Sequence, residues 1–338
     1  MNASFYLTPF LTAFLLTILS IVALRFVFAR YPVPQSRQGD RHTHKDSVLR
    51  FGGVALVVAF VATILTNHYL VLTKGWWGVI IASIMLLILG LWDDIRELSW
   101  KNQLAIQIVA GAMVFAFGIR LLSLRNPFGH TVFFDAGLLL GVSAVLTILW
   151  IILVMNAMNW ADGIDGLCGG VSFIGFATIF FLSLRPEVNQ PPVAILALVL
   201  AGVSLGFLIF NFYPAKILAG TSGSWFLGFM LAVLAVFSGT KIATAILVLA
   251  LPLFDALWVI FDRFRSGVSI FAPDQRHLHH RLRKLGWSSR AITAFLYTLT
   301  ILIAIIALHT DAMQKLIALL LMGVCMLLFF IWIQKQTA

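Results

Sequence analysis

Asp93 and Asp94 stand side by side in Gly90-Leu-Trp-Asp93-Asp94-Ile-Arg-Glu97, and Lys101-Asn-Gln-Leu-Ala-Ile-Gln107 follows. Adjacent aspartates repel each other, and one Asp at the centre of a membrane helix costs about 2.5–3.5 kcal/mol on insertion scales. The pair is therefore expected to line a wet cavity near the interface, with a cation close by. Mg²⁺ suits such a place, because it takes one or two carboxylates and completes its shell with substrate phosphate oxygens. A solvated loop between two helices accounts for this one motif equally well.

Three further motifs carry chemistry. Asn156-Ala-Met-Asn159-Trp-Ala-Asp162-Gly-Ile-Asp165-Gly166 sets two Asp-Gly steps three residues apart, a tight turn that lets backbone and ligand approach closely. Asn159 adds an amide donor and acceptor of the kind that recognises a base or a sugar. Gly220-Thr221-Ser222-Gly223-Ser224 precedes an apolar run and offers hydroxyls and backbone N–H groups at the positive end of a helix, an anion site, or a plain helix cap. Asp262-Arg263-Phe-Arg265 leads to Pro273-Asp274-Gln-Arg276-His277-Leu-His279-His280-Arg281. Zinc would want further ligands at regular spacing, so histidines among arginines favour phosphate, with a basic juxtamembrane anchor as the bland alternative.

The elements that must position these residues follow from composition. Of 338 residues, 61% are hydrophobic and 11% charged, with a mean hydropathy of +1.01. Ordinary globular chains run near half apolar and a quarter charged, so the excess must face lipid. The expected fold is an all-α polytopic transmembrane bundle of about eleven spans, near 5–28, 51–72, 77–92, 103–122, 137–157, 167–184, 192–212, 225–238, 241–260, 291–310 and 313–333. No repeat or linker divides it, so 1–338 reads as one integral membrane domain. Its chemistry lies in loops near 29–50, 93–102, 156–168, 211–224 and 261–290. Cys168 and Cys325 form no disulfide or metal pattern. The first apolar run lacks the marks of a cleaved signal and is expected to stay as a helix.

The charge of +10 speaks for orientation rather than nucleic acid. With eleven crossings, Lys74, Arg120, Arg125, Arg185, Lys241 and Lys315 fall on one side, and the remaining 17 of the 23 lysines and arginines on the other. The richer side is expected to be cytoplasmic, placing the N-terminus outside and the C-terminus inside. Only Asp135, Glu187 and Asp311 among the thirteen acids lie outside, and five of eight histidines, His42, His44, His277, His279 and His280, lie inside. Acids gathered among cations at one face suit a site that handles a metal and phosphate. An ion-coupled transporter would need such groups at the midplane.

The order G-L-x-D-D, N-A-x-N-x-x-D-G-x-D-G-L, N-x-x-P-A-x-x-x-x-G-x-x-G-S-x-x-L-G and D-x-x-H-L-H-H resembles the polyprenyl-phosphate N-acetylhexosamine-1-phosphate transferases, of the glycosyltransferase family 4 type. It covers residues from about 40 to 290, with Lys45 to Gly53 a looser match to the family's early segment. His277-Leu-His279-His280 is more similar to the branch that initiates O-antigen and enterobacterial antigen than to the one that makes the peptidoglycan lipid precursor. The resemblance implies transfer of a sugar 1-phosphate, most simply GlcNAc 1-phosphate, from a UDP-sugar to a polyprenyl (undecaprenyl) phosphate, releasing UMP. Mg²⁺ is the implied ion, with Mn²⁺ as its substitute. The implied setting is a bacterial inner membrane with the site facing the cytoplasm. The partners are the lipid phosphate and the UDP-sugar, not nucleic acid, and a homodimer is compatible.

By the same resemblance Asp93, Asp94, Asp162 and Asp165 do the catalytic work, and Asp93, Asp94 and Asp165 hold the metal. Asn159, Lys45, Arg50, Thr221, Ser222, Arg276, His277, His279 and His280 bind substrate. One position departs: the family usually carries aspartate where this chain has Thr221, and a hydroxyl brings no charge to the ion. Either the metal site is weaker here, or the chain is a silent homologue that binds lipid phosphate or nucleotide sugar as a scaffold.

Overall fold

The computed structural model describes residues 4–31, 48–125, 130–237, 242–269 and 275–337. In chain order it contains α1 (Ser4–Arg30), α2 (Gly52–Thr66), α3 (Lys74–Arg96), α4 (Trp100–Ala116), β1 (Ser123–Arg125), β2 (Thr131–Phe133), α5 (Gly137–Ala161), α6 (Leu167–Ser183) and α7 (Pro191–Asn211). There follow α8 (Gly220–Phe237), α9 (Ile242–Val248), α10 (Ala250–Arg265), α11 (Leu278–Lys284), α12 (Ser289–His309) and α13 (Ala312–Thr337). Each of the eleven apolar segments contains helix, though α2 stops at Thr66 and α4 at Ala116, short of the expected bounds. Among the described residues seven helices are long and apolar enough to cross a membrane, or eight if α9 and α10, bent by 74° at their junction, count as one broken span. The chain is a multi-pass membrane protein.

Three features differ from the sequence expectation. The loop after α4 holds a short antiparallel hairpin that pairs Ser123 with Phe133, so the fold is not purely helical. The ninth segment is two helices rather than one. The eighth helix begins at Gly220, five residues before the apolar run, so the glycine-serine motif forms its first turn.

α8 is the centre. From Ser222 to Val236 every residue is buried, as expected of a helix that is apolar all round. It packs against α2, α3, α5 and α6, while α1 lies against α7. In a membrane, where helices gain little from leaving lipid, close backbone approach supplies the packing. A Cβ on Gly53 of α2 would sit 2.3 Å from Ser222 Oγ, and one on Gly90 of α3 would sit 2.5 Å from Ser222 Cα. Those two contacts draw α2 and α3 onto the first turn of α8. Hydroxyls inside the bundle bond back to the preceding turn, as Thr63 does to the Ala59 carbonyl at 2.7 Å and Thr300 to that of Leu296 at 2.7 Å.

Candidate active site

The N-terminal turn of α8 is where three motifs meet. Gly220 has φ +68°, and a Cβ there would lie 2.6 Å from the Arg50 carbonyl and 2.7 Å from both Asp94 carboxylate oxygens, so only glycine fits. Leu49 bridges Ile217 in parallel, and Gly52 and Gly53 donate their N–H groups to the carbonyls of Leu218 and Ala219. The segment before α2 is thereby strapped beside the entry to α8, which brings Arg50 to the site. Lys45 lies outside the described residues.

Asp94, on the last turn of α3, is buried and serves as the anionic cap of α8. Thr221 N donates to its Oδ1 at 2.7 Å, while Ser222 N and Oγ donate to its Oδ2 at 3.2 and 2.8 Å. The anion that the first turn of α8 was expected to hold is thus a carboxylate of the chain itself, and the Ser222 donors are directed at it. Asp93 is buried too. Its Oδ1 accepts from Leu98 N at 2.7 Å and Gln103 Nε2 at 2.9 Å, and its Oδ2 accepts from Thr221 Oγ1 at 2.6 Å. The adjacent aspartates therefore point to different partners, and Thr221 touches both.

The turn after α5 supplies the third group. Asp162 Oδ2 accepts from Gly220 N at 3.2 Å, so Asp94 and Asp162 converge on one glycine from opposite motifs. Desolvation pushes the Asp162 carboxyl well above its ordinary range. Its neighbours Asp94 and Asp165 push the same way, and the Gly220 N–H and Arg50 only partly offset them. Asp165 is buried and holds a different place: its Oδ2 accepts from Ala215 N at 3.0 Å, and its carbonyl accepts from Thr293 Oγ1 at 3.2 Å. Asn211 ties the same turn to the entry of α8, accepting from Gly166 N at 3.1 Å and donating to the Ile217 carbonyl at 2.9 Å. Asn159 Oδ1 accepts from Ser224 Oγ at 2.8 Å.

The metal set expected from sequence is therefore redrawn. Asp93, Asp94 and Asp165 do not come together, and among the described residues no three His, Cys, Asp or Glu side chains gather at ligand distance. The reason is local: Asp93 is turned to α4 and Thr221, and Asp165 to the Ala215 backbone. Asp94 and Asp162 remain, two carboxylates that converge on Gly220, of which Asp162 is the poorly compensated one. Two carboxylates with phosphate oxygens are what Mg²⁺ takes, so this pair fits the ion.

The histidine motif forms the other wall. α11 begins at the motif, and Asp255 of α10 receives both His277 Nδ1 at 2.9 Å and Leu278 N at 2.7 Å. His277 packs on Trp160 at 5.3 Å between ring centroids and lies parallel to His279 at 5.9 Å. A Cβ on Gly163 would be 2.6 Å from His279 Nε2, so the motif packs directly on the Asp162 turn. That nitrogen is buried without a hydrogen-bond partner among the described residues. Burial, followed by His280, His277 and Arg283, holds the His279 imidazole well below its ordinary value, hence neutral. Arg276 and Arg281 both bond Asp262 Oδ2, at 3.3 and 3.0 Å, and brace the loop. His280 packs against His279 at 4.2 Å between ring centroids, the rings tilted by 43°.

Sequence reasoning passed over Asp255 and Gln103; Arg263, quoted there with the histidine motif, has its guanidinium 5.9 Å from the centre of the Trp160 ring. Asp255 had a signal: a lone acid inside an apolar run, costly unless it serves something. Gln103 had none.

Comparison with known proteins follows this geometry. Residues 76–239 match the family described as Glycosyl transferase family 4. The chain is 30% identical over 304 residues to a probable undecaprenyl-phosphate N-acetylglucosaminyl 1-phosphate transferase of Bacillus subtilis, covering 87% of this chain and 83% of that protein. It is 31% identical over 315 residues to a decaprenyl-phosphate N-acetylglucosaminephosphotransferase of Mycobacterium leprae, covering 85% and 78%. A phospho-N-acetylmuramoyl-pentapeptide-transferase of Bacillus licheniformis is 28% identical over 285 residues, covering 80% and 86%.

Proposed function

The chain belongs to glycosyl transferase family 4 and is a phosphotransferase of that family, and on that premise we propose that it moves GlcNAc 1-phosphate from UDP-GlcNAc to undecaprenyl phosphate. The product is a lipid-linked sugar that starts a surface glycan of the O-antigen kind, and UMP is released. The membrane is the bacterial inner membrane, crossed eleven times with the N-terminus outside. The site then faces the cytoplasm, where nucleotide sugars are made. The observation that carries this proposal is the convergence of Asp94 and Asp162 on Gly220, with Arg50 beside them and the histidine motif packed on the same turn.

In the reaction a phosphate oxygen of the lipid attacks the sugar-bearing phosphorus of the UDP-sugar. The bond from that phosphorus to the bridging oxygen breaks, and UMP leaves with the electron pair. The acceptor is a phosphate monoester, mostly ionised at neutral pH, so it needs alignment and charge neutralisation more than a base. Asp94 and Asp162 would hold Mg²⁺, or Mn²⁺ in its place, which when bound supplies positive charge to the phosphates. Asp93 and Thr221 hold Asp94 in place. Arg50, Arg276, Lys45 and the histidines His277, His279 and His280 would bind the anionic substrates, and Asn159 would read the nucleotide. Asp165 shapes the turn that presents Asp162.

One observation favours a second reading. Thr221 spends its hydroxyl on Asp93 and brings no charge to the site, as a protein that binds without turnover could tolerate. The test is UMP release by purified protein with Mg²⁺, undecaprenyl phosphate and a panel of UDP-sugars. Release with UDP-GlcNAc, dependent on lipid phosphate and abolished by Asp94→Asn, supports the transferase. UDP-sugar binding without UMP release supports the scaffold.

A further inference from the structure

Asp255 is buried on α10, outside every motif that the chemistry above uses, yet it makes two directed contacts with the histidine segment. Its Oδ1 accepts from Leu278 N at 2.7 Å and its Oδ2 lies 2.9 Å from His277 Nδ1. An ionised carboxylate has no proton to give, so at that distance Nδ1 is the donor. The His277 proton is thereby fixed on Nδ1, and Nε2 is left over. Nε2 has no hydrogen bond among the described residues. The ring cannot swing to another partner, because Trp160 lies against it at 5.3 Å and His279 runs parallel to it at 5.9 Å. Both rings belong to the wall that meets the Asp162 turn at Gly163.

We propose that Asp255 is a positioning residue of the transferase: it sets the tautomer and orientation of His277 so that the bare Nε2 can take up the proton that the singly protonated lipid phosphate still carries, freeing that phosphate oxygen to attack. This rests on the transferase reading for its substrate, but the Asp255–His277 contact stands apart from it. A carboxylate that receives Nδ1–H while its other oxygen caps the next helix settles ring orientation and chain path together. A plain cap on α11 would need only the Leu278 contact.

Asp255→Asn separates the two roles. Leu278 N can only donate, so it keeps the Asn oxygen, and the Asn amide group is turned to Nδ1. Nδ1 must then accept, and the ring proton moves to Nε2. The helix cap survives while the tautomer is inverted. The expected result is a fall in turnover of about 10²-fold, the low end of what a placed acid–base group contributes, with KM for UDP-GlcNAc changed by less than about 3-fold. In a His277→Gln background the same substitution costs nothing further, because the ring through which Asp255 acts is gone. An equal cost in both backgrounds would overturn the proposal, and so would unchanged turnover.

A second measurement needs no turnover. In protein labelled with ¹⁵N-histidine, the His277 signals, identified by their loss in His277→Gln, should show Nδ1 as the protonated nitrogen. In Asp255→Asn that proton should be found on Nε2. A bare Nδ1 in the parent protein overturns the assignment. If the parent releases no UMP but His277 carries its proton on Nδ1, the transferase reading fails while the contact that orients His277 holds.

Discussion

Thr221→Asp puts a carboxylate where a hydroxyl now donates to Asp93 Oδ2 at 2.6 Å, among the three donors that hold Asp94, its own N–H and the N–H and hydroxyl of Ser222. Two like charges about 4 Å apart repel by about 4 kcal/mol at the effective dielectric of a protein site. The new carboxyl can escape by keeping its proton, which restores a donor to Asp93. Holding that proton costs about 1.4 kcal/mol for each pH unit above the ordinary Asp value, or about 4 kcal/mol at pH 7. Either route gives the same figure, about 6 °C in melting temperature for a chain of this length. The sign follows from the raised folded-state pKa: the penalty is absent near pH 4 and grows as pH rises. Mg²⁺ held against the new carboxylate offsets part of it, adding about 2.7 kcal/mol at 100 times its dissociation constant. The assay is thermal unfolding of parent and variant from pH 5 to 8, in chelator and in Mg²⁺, beside UMP release at limiting Mg²⁺. A variant whose melting tracks the parent at every pH, with no added response to Mg²⁺, would refute the placement of position 221 against Asp93.

Three other outcomes are expected. In chelator, Asp162→Asn should be more stable than the parent at pH 7–8 and equal to it near pH 4, because the raised Asp162 pKa costs stability as pH climbs above the ordinary Asp range and Asn can still accept from Gly220 N; denaturant titrations across pH check this, and a parent whose stability rises through that window contradicts it. Gly220→Ala should lose about 2–4 kcal/mol and most UMP release, since φ is +68° and the new Cβ meets the Arg50 carbonyl and both Asp94 oxygens; unfolding and activity of the purified variant decide it, and near-parent values would mean that the entry to α8 is looser than described. In a Cys325→Ser background, Ser266→Cys should be labelled by an impermeant thiol reagent only from the cytoplasmic side and Asp135→Cys only from outside; labelling of both from one side would remove the assigned sidedness.

The family and the multi-pass membrane character were both legible in the amino-acid sequence. Apolar runs of about twenty residues and motif order are local signals that need no knowledge of packing. Even there the eleven segments hid the hairpin at Ser123–Phe133 and the break between α9 and α10, because backbone bends leave no mark in hydropathy. Which carboxylates could share an ion was beyond sequence. Asp93 and Asp94 are neighbours in the chain but lie on different sides of a helix turn, and only the packing of α3 and α2 on Gly53, Gly90 and Ser222 decides that Asp94 meets Asp162 while Asp93 is tied to Gln103 and Thr221. Asp165, two residues before Leu167 opens α6, is likewise claimed by the Ala215 backbone. Asp255 was visible only as an expensive acid in an apolar run, until the fold brought it within 2.9 Å of His277. A sequence states which groups exist and roughly at what depth they sit; the donor that satisfies each lone pair comes from another helix, and helix packing alone makes that choice.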